Sequence, residues 1–158
     1  MDLKRTGEDL LTRAKEILKR DGYHSPTVLV FGQHERAIVQ LEFNTPEEKY
    51  GAMYVVGRHL ASTKPMCVAF VSEAWMSTRM PEQGQSIADM PDRQEVLGVA
   101  VQTRRLRIWS AVVPFVKVGQ EIVFGEPIQG SDVDSYLLEE FWRGVIDGEQ
   151  EVQSWTSN

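Results

Sequence analysis

Six consecutive apolar residues form the run Met66-Cys67-Val68-Ala69-Phe70-Val71, near the middle of a chain of 158 residues. A strand with one solvated face alternates apolar and polar residues, whereas a strand covered on both faces is apolar throughout. The run therefore predicts a central β-strand over Met66–Met76, in a sheet that carries helices on both faces.

The residues before this strand predict a helix that begins within Asn44-Thr45-Pro46-Glu47-Glu48. Thr45 suits the N-cap, Pro46 suits the first helical position, and Glu48 completes a capping box. We expect this helix to run to about Ser62.

Another strand is predicted before the helix, over Arg36–Phe43, where apolar and polar residues alternate. One of its faces holds Arg36, Ile38, Gln40 and Glu42, and a face this polar indicates a position near the sheet edge. A strand, a helix and a second strand in this order predict a βαβ unit with parallel strands and a right-handed crossover.

The other elements follow from periodicity and from turn residues. We predict a first helix over Gly7–Arg20 capped by Thr6, a last helix over about Asp132–Ile146 capped by Ser131, and strands over 27–31, 94–103 and 106–115, with 118–124 as a further short strand. The order αββαβββα predicts the α/β class, with a mixed α+β sheet of about five strands in three α/β/α layers. We expect one domain over residues 1–147 and a flexible C-terminal tail over 148–158.

This order of elements resembles the cytidine-deaminase-like fold and the related fold of the JAB/MPN metalloproteases, over most of Thr6–Phe115. A zinc deaminase of that kind carries His or Cys two residues before a Glu at the start of the middle helix, and Pro-Cys-x-x-Cys after the third strand. Here those places read Asn44-Thr45-Pro46-Glu47 and Glu73-Ala74-Trp75-Met76, and the His-x-His pair of a JAB-type protease is missing. The resemblance therefore implies the topology without the zinc ligands, and we expect no metal and no cofactor.

Charge and composition restrict the classes of function. Acidic residues outnumber basic ones by 23 to 17, and the formal net charge of -6 disfavours broad contact with nucleic-acid phosphates. The single cysteine, Cys67, cannot form an intramolecular disulfide and is expected to be a buried apolar residue. No signal-peptide core and no run of 18 apolar residues occurs, so we expect a soluble, cytoplasmic protein without membrane contact.

A candidate site is predicted where strands 36–43 and 66–76 end, because parallel strands end at the same edge of a sheet and ligands favour that edge. The start of the middle helix and the long connection Ser77–Arg93 are expected there too. Glu73 is the candidate general acid or base, with a solvent-facing carboxylate or an ion pair to Arg79 or Arg93 as the alternative. The candidate ligand-binding residues are Asn44, Thr45, Glu47, Ser72, Trp75, Asp92 and Arg93.

Two further surfaces are candidates for partners. Large apolar side chains share one face of the last long strand, which predicts an interface at Trp109, Val113 and Phe115 unless the last helix covers them. Basic residues are expected to gather around two hairpin turns and form either an anion-binding rim or a solvated surface: His34, Arg36, Lys64, Arg104, Arg105 and Arg107.

The favoured interpretation is a non-enzymatic binding or self-associating module, because no recognisable catalytic motif is present. Its partner is expected to be a second copy, as in a homodimer, or another protein. The first alternative is a metal-independent, hydrolase-like enzyme that uses Glu73, with Arg93 for an anionic substrate. The second is a nucleic-acid accessory protein that binds through the arginine rim, which the acidic chain makes the least favoured of the three.

Overall fold

The computed structural model describes residues 1–77, 79–130 and 135–156. Within these ranges the chain forms three α-helices, seven strands and two short 3₁₀ turns at Ala61–Thr63 and Ile87–Asp89. The elements are α1 (Leu3–Asp21), β1 (Thr27–Gly32), β2 (Arg36–Gln40), α2 (Pro46–His59), β3 (Pro65–Met76), β4 (Gln94–Thr103), β5 (Ile108–Val118), β6 (Glu121–Phe124), β7 (Ile128–Gln129) and α3 (Ser135–Thr156).

The strands form one antiparallel sheet in the order β2-β1-β3-β4-β5-β6, and β7 pairs with β5. This confirms a mixed α+β architecture, with seven strands where about five were expected. The parallel pair expected between β2 and β3 is wrong, because β1 lies between these two strands and is antiparallel to both. A tight turn closed by the bond from Gly32 N to Glu35 O, 2.8 Å, pairs β1 with β2 locally before β3 is reached. The cytidine-deaminase-like topology stays a prediction.

Alternate residues of β3 enter two separate cores. Cys67, Ala69 and Val71 pack in the core that contains the buried face of α1. Val68 and Phe70 pack in the other core, which contains the buried residues of α2 and α3. Helices therefore lie on both faces of the sheet, as the unbroken apolar run predicts.

Helix α1 begins earlier than the sequence indicated. Asp2, and not Thr6, is its N-cap, since the Asp2 carboxylate accepts a bond of 3.1 Å from Arg5 N. The additional turn buries Leu3. Gly22 ends the helix with a φ of 77°, and its N–H donates to Leu18 O.

The start of α2 confirms the predicted cap. Thr45 Oγ1 accepts a bond of 3.2 Å from Glu48 N, while the Glu48 carboxylate accepts one of 2.7 Å from Asn44 N. Pro46 stands at the first helical position, and the helix ends at His59.

Helix α3 continues through Gly148 to Thr156, where the sequence indicated a flexible tail. Gly148 does not end the helix; it allows close contact with α2, since a Cβ there would lie 2.7 Å from Arg58 O. An ion pair between Arg58 and Glu151 holds the last turns against α2. The predicted cap at Ser131 and the predicted start at Asp132 lie outside the described residues.

Candidate functional site

Glu73 lies on the α1 face of the sheet and has a structural partner. Its Oε2 accepts a hydrogen bond of 3.0 Å from the backbone N of His24, so the carboxylate fastens the segment that follows α1 to β3. Within the described chain Glu73 forms no ion pair with Arg79 or Arg93. The structure therefore gives this carboxylate a positioning role in the fold.

Some of the predicted ligand-binding residues meet at the base of the long connection. The Arg93 guanidinium lies 5.3 Å from the centroid of the Trp75 ring, and Ser77 Oγ donates a bond of 2.7 Å to Asp92. Ser72 Oγ donates to the carbonyl oxygen of Glu73 at 2.9 Å. The Arg93–Trp75 and Ser77–Asp92 contacts join the two ends of the connection to each other, whereas the Ser72 bond is local to β3.

The other predicted residues, Asn44, Thr45 and Glu47, are the start of α2 and are exposed. Side chains alternate across a strand, so Phe70 and Ser72 point toward the α2 face while Glu73 and Trp75 point toward the α1 face. The predicted residues therefore do not form one site, because the sheet separates Glu73 and Trp75 from the start of α2. The sequence predicted that Glu73, Trp75 and the start of α2 lie at one edge of the sheet, but it did not show that they lie on opposite faces of the sheet.

The interface predicted on β5 is wrong, because these side chains are covered within the chain. Val113 and Phe115 are buried, and Trp109 packs against the same core. Helix α1 covers them, and not the last helix. Gly7 permits this approach, since a Cβ on it would lie 2.0 Å from Trp109 Cε3.

The described sheet ends in β2 on one side and in β6 on the other. The alternating sequence of β2 predicted its position at an edge. Two bonds fix the direction of its backbone groups: Leu41 N donates to Pro26 O at 2.9 Å, and Gly32 N donates to Glu35 O at 2.8 Å. With the register of β1 and β2, these bonds make Val39 and Ala37 the residues that exchange hydrogen bonds with β1. The intervening residues direct their N–H and C=O groups outward, where no described strand pairs with them: Arg36, Ile38 and Gln40.

A cleft lies beside this edge, between β2 and α1. We call it the β2 cleft; its walls include Leu10, Arg13 and Ile17 of α1, and its other side is formed by Leu29, Arg36 and Ile38. Two adjoining cavities of about 290 and 320 Å³ make up the cleft and share Leu10, Arg13, Leu29 and Ile38. Ile38 is 70% exposed, although it is a large apolar residue in a sheet. The exposed Ile38 side chain and the outward backbone groups therefore lie on the same strand, where a partner can contact both.

The charged side chains around the β2 cleft have a positive balance: Arg13, Arg20 and Arg36 against Asp9 and Asp21. Arg13 forms no ion pair within the described residues, and the Arg36 guanidinium rests 5.5 Å from the centroid of the Phe31 ring without a carboxylate partner. In contrast, Arg20 donates bonds of 2.8 and 3.0 Å to Asp21, and these hydrogen bonds lower the pKa of the Asp21 carboxyl. Neither Arg13 nor Arg36 therefore has an ion-pair partner among the described residues, and with Asp9 on the same cavity the local balance stays positive, on a chain whose net charge is -6.

The arginine rim is partly neutralised. The turns that hold His34 and Arg104 do lie at one end of the sheet, because Gly32 contacts Thr63 and Arg104 N donates to Met66 O at 3.1 Å. The Arg104 guanidinium forms two hydrogen bonds with Glu149, at 2.7 and 2.5 Å, and the Glu149 bond raises the pKa of Arg104. Arg36 belongs to the β2 cleft and not to this rim.

The described residues contain neither a metal-binding cluster nor a membrane-spanning helix, and their one cysteine is buried. In that part of the chain no three His, Cys, Asp or Glu side chains are grouped to hold a metal ion. No helix there is long and apolar enough to cross a membrane. Cys67 is buried, and burial raises the pKa of its thiol to about 11.

Fold and cleft together define a mixed α+β domain whose antiparallel sheet ends in a free edge strand beside a basic cleft. The chain belongs to the family described as Bacteriophage lambda protein ea47, whose model matches residues 2–143, from α1 into α3. Comparison with curated proteins and comparison with solved structures found no match. The family's description names a phage protein and states no activity.

Proposed function

We propose that this chain is a non-enzymatic binding module, which binds another protein by adding a strand of that protein to β2. The observation that carries the proposal is the outward direction of the N–H and C=O groups of Arg36, Ile38 and Gln40. An edge with unpaired backbone groups is a template for a further strand, and proteins without such a use commonly protect their edges. The 70% exposure of Ile38 supports the same use, because an added strand removes this side chain from water.

The alternatives have less support in the contacts. Glu73, the residue proposed for a hydrolase, is bonded to His24 N and has no described ionic partner that would orient it as an acid or base. Arg104 of the proposed nucleic-acid rim is occupied by Glu149. The outward edge of β2 has no comparable partner among the described residues.

A proline at position 38 tests the proposal. Ile38→Pro removes one outward N–H and leaves the bonds between β1 and β2 intact, because the Ile38 N–H does not face β1. Ile38→Val is the matched control, since it keeps the N–H and an apolar side chain. All three proteins are purified gently from the cells in which the protein occurs and are measured by native mass spectrometry.

We expect wild type and Ile38→Val to retain a stoichiometric protein partner that Ile38→Pro has lost, at unchanged circular dichroism. A partner retained equally by Ile38→Pro contradicts the use of the β2 edge. A wild-type protein that carries no partner, or carries a small organic molecule in its place, contradicts the binding module.

A further inference from the structure

We infer that the β2 cleft recognises an extended, acidic segment of the partner, which pairs with β2 and places carboxylates beside Arg13 and Arg36. This inference rests on the proposed function and adds the chemistry of the partner. Its three parts are the register of an added strand, the apolar floor of the cleft and the uncompensated charges.

The register determines which partner side chains enter the cleft. Residues of an added strand that stand opposite Arg36, Ile38 and Gln40 point to the same side of the sheet as those residues do. That side is the α1 side, because all three residues line the β2 cleft. Every second side chain of the partner therefore faces α1.

An apolar partner residue fits opposite Ile38. The side chains around that place are Leu10 and Ile17 from α1 and Leu29 from β1, all half-buried. A β-branched side chain there covers Ile38 and removes apolar surface from water on both strands.

Acidic partner residues fit on either side of that apolar one. The Arg36 guanidinium lies over the Phe31 ring, 5.5 Å from its centroid, and Arg13 stands on the opposite wall of the cleft. A guanidinium binds a carboxylate through two parallel hydrogen bonds, which neither Arg13 nor Arg36 makes within the described chain. Asp9 is the other charged side chain of this part of the cleft besides the Arg20–Asp21 pair, so the local balance is positive.

Charge also decides between an acidic segment and other occupants. If β2 of a second copy paired antiparallel about Ile38, Arg36 would face Gln40 of the other copy, and the paired residues Arg36–Gln40 contain no carboxylate to place opposite either guanidinium. A nucleic acid brings negative charge but has no strand backbone for the outward groups of Ile38. An acidic peptide strand satisfies the charges and the backbone together.

The experiment uses a peptide that is symmetric in sequence and so presents the same side chains in either strand direction. The acidic probe is Thr-Glu-Thr-Val-Thr-Glu-Thr, acetylated, amidated and fluorescently labelled, and in the control peptide Lys replaces both Glu. Binding to the full chain is measured by fluorescence anisotropy at low and high salt. The variants are Arg13→Glu and Arg36→Glu, with Lys19→Glu as a matched charge reversal on α1 outside the cleft, beside Phe124.

We expect the wild type to bind the acidic peptide about tenfold more tightly than the lysine peptide at low salt, with a smaller difference at high salt. Arg36→Glu and Arg13→Glu reverse this preference, whereas Lys19→Glu keeps it. Ile38→Pro weakens both peptides.

Other results separate the inference from the proposed function. If both peptides bind equally and Ile38→Pro abolishes this binding, the acidic specificity is overturned. Strand addition to β2 is then still supported. No binding of either peptide overturns both. A dimer in sedimentation that Ile38→Pro dissociates, or an RNA oligonucleotide that competes through Arg13 and Arg36, identifies a different occupant and overturns the inference.

Discussion

At the scale of single residues, the Glu73 carboxylate connects two segments of the fold through a hydrogen bond. It stands at the end of an apolar strand, and its partner is the backbone N of His24, 3.0 Å away. We expect Glu73→Ala to lower the free energy of unfolding by about 1–2 kcal/mol, because a half-buried bond to a charged acceptor is lost. Glu73→Gln keeps an acceptor oxygen and should lose less than half of that amount in urea denaturation.

The same pair of variants separates structure from catalysis. A catalytic Glu73 loses its function in Glu73→Gln even when stability is kept. A Glu73→Gln protein that is as stable as the wild type and keeps its partner in native mass spectrometry supports the positioning role. Equal losses of stability in the two variants would show that the bond to His24 needs the charge.

Cys67 predicts a dependence of stability on alkaline pH. Its thiol is fully buried, and burial raises its pKa from the ordinary value of 9.0 to about 11. The unfolded thiol ionises first, so the contribution is complete below pH 9 and is lost as pH rises toward 11. We expect wild type to lose about 1 kcal/mol more than Cys67→Ala between pH 8 and pH 10 in urea denaturation. Parallel pH profiles of the two proteins would contradict this assignment of the pKa.

At the scale of elements, the contact between α2 and α3 depends on glycine. A Cβ at Gly144 would lie 2.0 Å from Tyr54 O, and one at Gly57 would lie 2.0 Å from Phe141 O. We expect Gly144→Ala to lower the free energy of unfolding by about 2–3 kcal/mol, since backbone must move to admit the methyl group. Gly51→Ala is the control within α2: nothing lies within 4 Å of its Cβ, so it should raise stability by about 1 kcal/mol. Thermal unfolding of both variants measures the difference, and an unchanged Gly144→Ala midpoint would show that the helices are further apart.

Hydrogen exchange tests the direction of the backbone groups in β2. The amides of Ala37 and Val39 face β1 and should exchange slowly, whereas those of Arg36, Ile38 and Gln40 face outward and should exchange rapidly. NMR-detected exchange resolves this alternation residue by residue. Uniform protection along the strand would mean that β2 is not a free edge.

Sequence patterns predicted which face of an element is buried better than they predicted which element packs beside it. The cap at Thr45 and the exposed, alternating residues of β2 were both readable, because capping and burial are local properties. The pairing of β1 with β3 could not be predicted in this way. Alternation shows which side of a strand is buried but does not identify the adjacent strand. For the same reason the sequence identified the apolar face of β5 that contains Trp109, but it did not identify α1 as the helix that covers this face. Ile38 on an otherwise polar face was the available signal for the β2 cleft, and its meaning depends on α1, which is distant in sequence.

At the scale of the whole molecule, the negative net charge repels acidic partners, whereas the arginines of the β2 cleft attract them. The chain carries a net charge of -6, so two copies repel each other, yet the β2 edge lies beside Arg13 and Arg36, which form no ion pair among the described residues. A positive cleft on an acidic surface favours partners that are locally acidic, and the surrounding negative charge opposes weak, nonspecific association with them.

This balance predicts the oligomeric state of the isolated chain. Pairing of two β2 strands over Arg36–Gln40 places no carboxylate opposite Arg36, buries only five residues of each strand and brings two acidic proteins together. We expect sedimentation velocity to show a monomer of 18.0 kDa at low salt, where repulsion is strongest. A dimer that forms only at high salt would mean that charge alone opposed self-association, and a dimer at low salt would show that the edge of β2 is satisfied by a second copy without an acidic partner. Lys in place of Ile38 distinguishes these cases, since Ile38→Lys dissociates a dimer built on β2 and leaves one formed elsewhere unchanged.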